Sequence, residues 1–267
     1  MANIEENRSR ILYSCYLTRS RTGEQFIQEH VFSYQIAGKL TVCDSKKEYT
    51  FNEGDFRFSR RNHLAKFIKQ PPEHSEFKSL SIYLDQETLR QLSTELDIKT
   101  DRKTVPEETI LILRDHPLYK SFMNSLLVYL QLPDHERANI MDLKIKEAVQ
   151  LLLKVNPEIK NILFDFTEPG KIDLEAFMNQ NYHFNVDLKR FAYLTGRSLS
   201  TFKRDFEKTF KLSPSRWLLQ RRLEEAYFLI KEKGKTASDI YLDVGFEDLS
   251  HFSFVFKKQY GVSPSKI

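Results

Sequence analysis

Leu199-Ser200-Thr201-Phe202-Lys203-Arg204-Asp205-Phe206-Glu207-Lys208-Thr209-Phe210-Lys211-Leu212-Ser213-Pro214-Ser215 is echoed, at a constant offset of 50, by Leu249-Ser250-His251-Phe252-Ser253-Phe254-Val255-Phe256-Lys257-Lys258-Gln259-Tyr260-Gly261-Val262-Ser263-Pro264-Ser265. Both copies close on Ser-Pro-Ser, and Phe202, Phe206 and Phe210 fall opposite Phe252, Phe256 and Tyr260. Further back, Ala192 and Gly196 meet Tyr241 and Gly245 once the second copy is granted one extra residue. Each copy therefore reads as helix, glycine turn, second helix and a stop at Ser-Pro, which is the pattern of a helix-turn-helix unit.

In the first copy Leu199, Phe202, Phe206 and Phe210 share one stripe of a helix around 199–210, and Ser200, Thr201, Arg204, Lys208 and Lys211 occupy the opposite face. In the second, a helix around 249–260 buries Leu249, Phe252, Phe256 and Tyr260 and turns Ser250, His251, Phe254, Lys257 and Lys258 outward. The aromatic stripe seats such a helix on its domain, and the polar, basic face is suited to base edges and phosphates. Arg204 and Phe254 are equivalent outward positions. Arginine bonds a guanine bidentately, whereas phenylalanine offers only apolar contact, for instance to a thymine methyl, so the first copy is expected to carry more of the direct reading.

Ahead of the first copy, Asp173 begins a short helix through Leu174, Phe177 and Met178, and Asn185 is expected to cap Val186 to Leu194. Ser198 or Ser200 caps the reading helix, and Thr236 or Ser238 opens the next one through Ile240 and Val244. Between the copies, Ser215 to Ile230 is a helix with Trp217, Leu218, Leu223, Ala226, Tyr227 and Ile230 apolar and Arg216, Arg221, Arg222, Glu224 and Glu225 polar. It spans about 24 Å. That length holds two reading helices near one duplex turn apart, about 34 Å, so that both enter successive major grooves.

The run Phe191-Ala192, Gly196, Ser200, Phe202, Arg204 to Phe206, Pro214, Trp217, Arg222-Leu223, Ala226, Ile240, Gly245-Phe246, Ser250 to Phe252, Phe256 to Lys258, Tyr260-Gly261 and Ser263-Pro264 resembles the DNA-binding domain of AraC/XylS-type transcription regulators over 170–267. The resemblance implies two helix-turn-helix units on one linker helix, binding double-stranded promoter DNA beside RNA polymerase and activating transcription. Tyr241 stands where the family usually has alanine and Phe254 where arginine is common. The chain ends at Ile267, before the family's final residues, as a trimmed or short tail would.

The amino-terminal half is written differently. Strand-like runs occupy Ile11 to Leu17, Phe26 to Ile36, Lys39 to Val42, Tyr49 to Phe51, Phe56 to Phe58, Leu64 to Ile68 and Leu80 to Leu84. They are separated by turns at Gly23, Ala37-Gly38, Asp44-Ser45 and Glu53-Gly54-Asp55, which suggests a small antiparallel barrel or sandwich. His30, Phe32, Tyr34 and Ile36 alternate onto one face, as candidate ligand contacts in a barrel interior or as its packed core. Helical spacing then takes over at Glu87 to Leu96, Leu118 to Leu130 and Ala138 to Val155. The last two stretches, joined by Pro133-Asp134, suit either a dimer interface or a cover for the barrel. Asn156-Pro157 ends them and Pro169-Gly170 marks a border, although Ile162, Leu163, Phe164 and Phe166 between are too apolar for a free linker. This half is similar, more loosely, to the cupin-like barrel and dimer helices of the same family.

Charge follows the same division. From Gly170 onward stand 17 Lys and Arg against 12 Asp and Glu, and before it 24 against 25, so the basic excess lies in the repeat. Two cysteines, Cys15 and Cys43, exclude a disulfide scaffold and point to a reducing, cytoplasmic setting. The first twenty residues, with Glu5, Glu6, Arg8, Arg10 and Arg19, lack the apolar stretch of a signal peptide, and no window is long and apolar enough for a membrane span. A cupin-type enzyme or metal-binding protein is the competing class. It would want clustered ligands, and His30, His63 and His74 are scattered without an H-x-H pair. Ser250-His251 near Asp248 resembles nucleophile chemistry only on paper, since neighbours on a helix point apart. Lys46-Lys47 and Arg60-Arg61 read as solvated loop charges.

The expected fold is α+β: a cupin-like sensor and dimerisation domain over 1–156 (antiparallel barrel about 9–85, helices about 86–156), a linker over 157–169, and an all-α DNA-binding domain over 170–267. No catalytic residue, cofactor or metal is expected. A homodimer is expected, and control by a small-molecule effector or by a protein regulator stays open.

Overall fold

The computed structural model describes residues 10–21, 25–100 and 108–267, with the backbone alone at 134, 135 and 137–139. The turn at Gly23 lies outside the described residues. Two compact units emerge. Of the described residues, the first takes 10–21, 27–63, 67–100 and 108–167; the second takes 168–267 together with the short segments 25–26 and 64–66.

Unit 1 is antiparallel sheet covered by helices. A five-stranded sheet has the order β1 (Ile11–Tyr16), β9 (Phe77–Leu84), β3 (His30–Ala37), β6 (Phe56–Ser59), β10 (Ile110–Leu113), and a three-stranded sheet runs β5 (Glu48–Phe51), β4 (Lys39–Cys43), β8 (Lys66–Gln70). β2 (Phe26–Ile27) and β7 (His63–Leu64) form a separate ribbon, so the strands divide into sheets instead of one continuous ladder. Gln28-Glu29 breaks the expected strand Phe26 to Ile36 into β2 and β3. β10, absent from the sequence reading, is an edge strand of four apolar residues.

Strict alternation sorts the five-stranded sheet. Phe32, Phe56, Phe58, Leu80 and Ile82 share one core with Tyr119, Phe122 and Met123 of α2 (Pro117–Tyr129) and with Ile145, Val149 and Leu152 of α3 (Asp134–Val155). Leu89 and Leu92 of α1 (Gln86–Glu95) join it. The residues past Pro157 join it too: a 3-10 turn at Pro157–Ile159 and α4 (Lys160–Leu163) bury Ile159, Ile162, Leu163 and Phe164. The segment expected as a linker is thus largely core, for the apolar reason visible in its sequence. Arg61, read as a solvated charge, donates to Asp165 O at 3.1 Å and Thr167 O at 2.7 Å and ties down the end of this segment.

Unit 2 holds two cores on one helix. α8 (Pro214–Lys231) gives Leu218 and the half-buried Trp217 to a core with Phe184, Phe191, Phe202 and Phe206, and gives Leu223, Ala226 and Ile230 to another with Val244, Phe246, Phe252 and Phe256. The first core encloses α5 (Leu174–Asn181), α6 (Leu188–Leu194) and α7 (Leu199–Phe210); the second encloses α9 (Ala237–Ile240) and α10 (Leu249–Tyr260). Asp173 caps α5 as expected, accepting from Ala176 N at 2.9 Å. α6, however, starts two residues later than expected and is capped by Asp187, which accepts from Arg190 N at 2.9 Å. Asn185 instead donates through Nδ2 to Glu247 Oε1 at 2.6 Å.

Candidate nucleic-acid interface

The turns that aim α7 and α10 are built on glycines at matching places. Gly196 has φ +64° and a Cβ there would lie 2.3 Å from the Gly170 carbonyl carbon; Gly245 has φ +98°. Neither site admits a side chain without moving backbone. Ser198 caps α7 through Thr201 N at 3.3 Å, and Asp248 caps α10 through His251 N at 2.6 Å.

Both helices bury an aromatic ladder. Phe202 and Phe206 stand 5.5 Å apart, Phe206 and Phe210 4.4 Å, and Phe210 meets Trp217 at 4.6 Å. On α10 the steps are Phe252 to Phe256 at 5.6 Å and Phe256 to Tyr260 at 4.8 Å, with Tyr227 of α8 against Tyr260 at 4.7 Å. These contacts fix the rotation of each helix about its axis, which decides what faces outward.

Ser200, Arg204, Lys208 and Lys211 are exposed and Thr201 is half-buried; Ser250, His251, Lys257 and Lys258 are exposed, as is Phe254 at 67%. Lys203 and Glu207 are also exposed on α7, where the two lysines and Arg204 outnumber the one carboxylate. Arg204 Nε lies 3.8 Å from Asp205 Oδ1, a loose pairing on a side chain that is otherwise free to reach out. Asp205 is occupied on its other side by Arg197 Nε at 3.1 Å, and that hydrogen bond, with the charges of Lys171, Arg197 and Arg204, holds its carboxyl below the usual range. The acid beside Arg204 is therefore already neutralised.

The two helix starts differ. At α7, Ser198 Oγ lies 3.1 Å from Ser200 Oγ and 3.0 Å from Thr201 Oγ1, a cluster of neutral hydroxyls at the positive end of the helix. At α10 the corresponding cap is the carboxylate of Asp248. Neutral donors at a helix start suit a phosphate, and an acid there repels it.

Spacing marks Arg222 only as one of the polar residues of the linker helix. It lies between the two cores, donating through Nε to Tyr182 O at 2.8 Å, Nη2 to Phe184 O at 2.9 Å and Nη1 to Gly245 O at 2.8 Å. Desolvation lowers its pKa to about 10. Nothing in a periodicity count separates such an arginine from Arg221 beside it.

The candidate ligand residues of unit 1 sit mostly in packed surroundings. Phe32 is fully buried 5.0 Å from the Tyr119 ring and 6.5 Å from that of Phe122, and Tyr34 stacks on Phe56 at 4.6 Å. His30 stacks on Phe58 at 5.4 Å, its Nδ1 accepts from Arg61 N at 3.2 Å, and burial lowers its pKa to about 3, which keeps it neutral.

Comparison with known proteins fits this arrangement. Residues 191–267 match a family model described as a helix-turn-helix domain, and residues 30–162 match the ExsA N-terminal regulatory domain. The virulence regulon transcriptional activator VirF of Yersinia enterocolitica is 26% identical over 236 residues, covering 86% of each chain. The HTH-type transcriptional regulator ExsA of Pseudomonas aeruginosa is 25% identical over 234 residues, covering 86% of this chain and 83% of its own. Among solved structures, apo ToxT of Vibrio cholerae aligns over 98% of this chain and 97% of its own at 15% identity, with a TM-score of 0.47. With a doubled helix-turn-helix on one linker helix, and a regulatory-domain match over the sheet-rich half, the chain belongs to the AraC/XylS-type transcription regulators and is a DNA-binding regulator with an N-terminal regulatory domain.

Proposed function

We propose that the protein is a cytoplasmic transcription activator, not an enzyme, that places α7 and α10 in successive major grooves of promoter DNA. The observation that carries this reading is the pairing of two helices, each seated by an aromatic ladder, on the two halves of α8. Ser200, Thr201, Arg204, Lys208 and Lys211 are the first set of contacts, and Ser250, His251, Phe254, Lys257 and Lys258 the second. Arg204 reads a base, Lys208 and Lys211 hold phosphates, and Phe254 gives apolar contact alone. The names of VirF and ExsA support the regulatory part of the reading, and that of VirF the activating part. Genome-wide mapping of bound sites, followed by gel shifts on the recovered promoters, tests it; binding that ignores sequence overturns it.

Residues 1–156 are the regulatory half, 157–169 lead out of it and 170–267 form the DNA-binding half; RNA polymerase is the partner at the promoter. Self-association falls to α2 and α3, whose inner faces cover the sheet while Leu143 remains 68% exposed. Leu143→Lys should make the full chain sediment as a monomer while its thermal midpoint stays within a degree or two. A dimer that survives the substitution removes α3 from the interface. Whether a small effector or a protein regulator acts on residues 1–156, the readout is promoter affinity.

A further inference from the structure

The face of the five-stranded sheet turned away from α2 and α3 is polar, and it surrounds an arginine. Cross-strand register sets Arg57 of β6 beside Ser33 of β3, and Ser33 beside Ser81 of β9, in one row on one face. Arg57 is 5% exposed and its guanidinium lies 5.4 Å from the ring of Phe51 on β5, so it points between the two sheets. Among the described residues its Nη1 has no hydrogen-bond partner and no carboxylate acts on it, the phenol of Tyr83 being the one electrostatic partner. A ring face offsets part of a buried charge but accepts nothing from the fork of N–H groups. An arginine in this state needs an acceptor, because an unmet buried cation is among the costlier features a fold can carry.

Two residues further along β3, on the same face, Gln35 is fully buried. Its Nε2 donates to Ala37 O at 2.8 Å and Lys78 O at 3.1 Å, which fixes the amide and leaves Oε1 without a donor. Between the two, Ser33 Oγ and Ser81 Oγ lie 3.0 Å apart, and one of their two protons is not used by the pair. The row thus offers an unmet cationic donor, a hydroxyl and, about 7 Å along the strand, an unmet acceptor. The edge of the sheet lies one strand away. Ile112 of edge strand β10, the cross-strand partner of Arg57, is 68% exposed and lines a cleft of about 320 Å³ with Tyr49, Glu108 and Ile110.

We infer that the inner face of unit 1 is a binding site for a small organic acid, its carboxylate held by Arg57 and Ser33 and its hydroxyl or amine donor by Gln35 Oε1. Binding follows from these side chains alone; only its effect on promoter affinity rests on the reading of residues 1–156 as the regulatory half.

Thermal unfolding and calorimetric titration of the full chain with glycolate, acetate and sulfate, each against sodium chloride at equal ionic strength, test it. Glycolate in hundred-fold excess over its dissociation constant should raise the midpoint by about 5 °C or more, with acetate weaker for want of a donor. Arg57→Met should abolish the rise and melt in chloride no lower than the unsubstituted chain, since it removes an uncompensated charge. Arg57→Lys, which keeps the charge without the fork, should weaken glycolate at least about tenfold and serves if the methionine variant does not fold. No response to either carboxylate, a response to sulfate alone, or an equal glycolate affinity in the Arg57 variants overturns the inference. Glycolate binding that leaves the gel-shift midpoint unmoved would count against the regulatory reading and leave the site standing.

Discussion

Arg222 and Gly245 are joined at the boundary of two hydrophobic cores: Nη1 donates to the glycine carbonyl at 2.8 Å, and a Cβ on Gly245 would lie 2.8 Å from Nε. The same guanidinium holds Tyr182 O and Phe184 O, so one side chain gathers backbone from both helix-turn-helix units. Arg222→Met leaves three carbonyls without donors. It should lower unfolding free energy by about 2 to 4 kcal/mol in a urea titration. A loss under half a kcal/mol would show that the contacts are incidental.

The exposed faces of α7 and α10 are not equal. Arg204→Ala should lose about 1 to 3 kcal/mol of specific binding and relax the preference at one base position. Phe254→Ala, losing only apolar contact, should cost less in a gel shift on the same site. A larger loss at Phe254 would reverse the assignment of the two helices.

Lys211 and Gly261 are equivalent C-caps, both left-handed, at φ +58° and +77°. A lysine pays steric strain there that a glycine does not. Lys211→Gly should raise the stability of the full chain by about 0.5 to 1 kcal/mol while reducing the salt slope of DNA binding by about one ion. If affinity and slope are unchanged, Lys211 holds no phosphate.

Burial, with the positive charges of Lys66 and Arg222 nearby, lowers the pKa of His183 to about 4. An unfolded chain protonates the ring near 6.5, so between 6.5 and 4 unfolding takes up a proton. Stability is therefore full above that window and falls as the pH drops through it, by at most about 2 kcal/mol from this residue at pH 5. His183→Gln should flatten the acid slope by about one proton between pH 6.5 and 4. Unit 1 adds to the same slope through His30, held to about 3, and His63, held to about 4.

What could be read from the chain beforehand had local causes. Phenylalanines every fourth residue and a Ser-Pro stop determine a helix and its buried side wherever they occur, and both copies appear in the structure as α7 and α10. β10 is hidden in the sequence because Ile110-Leu111-Ile112-Leu113 has no alternation, being an edge strand with apolar residues on both faces. Spacing marks Arg222 as no more than polar and Arg61 as a solvated loop charge, since long cations usually are; their acceptors are backbone carbonyls 23 to 106 residues away, which leave no trace in spacing. Arg57 gave no signal for the same reason, since alternation along β6 shows which face it takes but not that the face is closed off.

The guanidinium between the cores makes the two reading helices a caliper with a fixed opening. Adding a base pair between the two half-elements of an operator moves one of them by about 3.4 Å and turns it about a tenth of the way round the duplex. A hinged pair would follow that change. One pinned at Tyr182, Phe184 and Gly245 has to bend the DNA or release a groove, so this regulator should select its promoters by the phase between half-elements as sharply as by the bases within them.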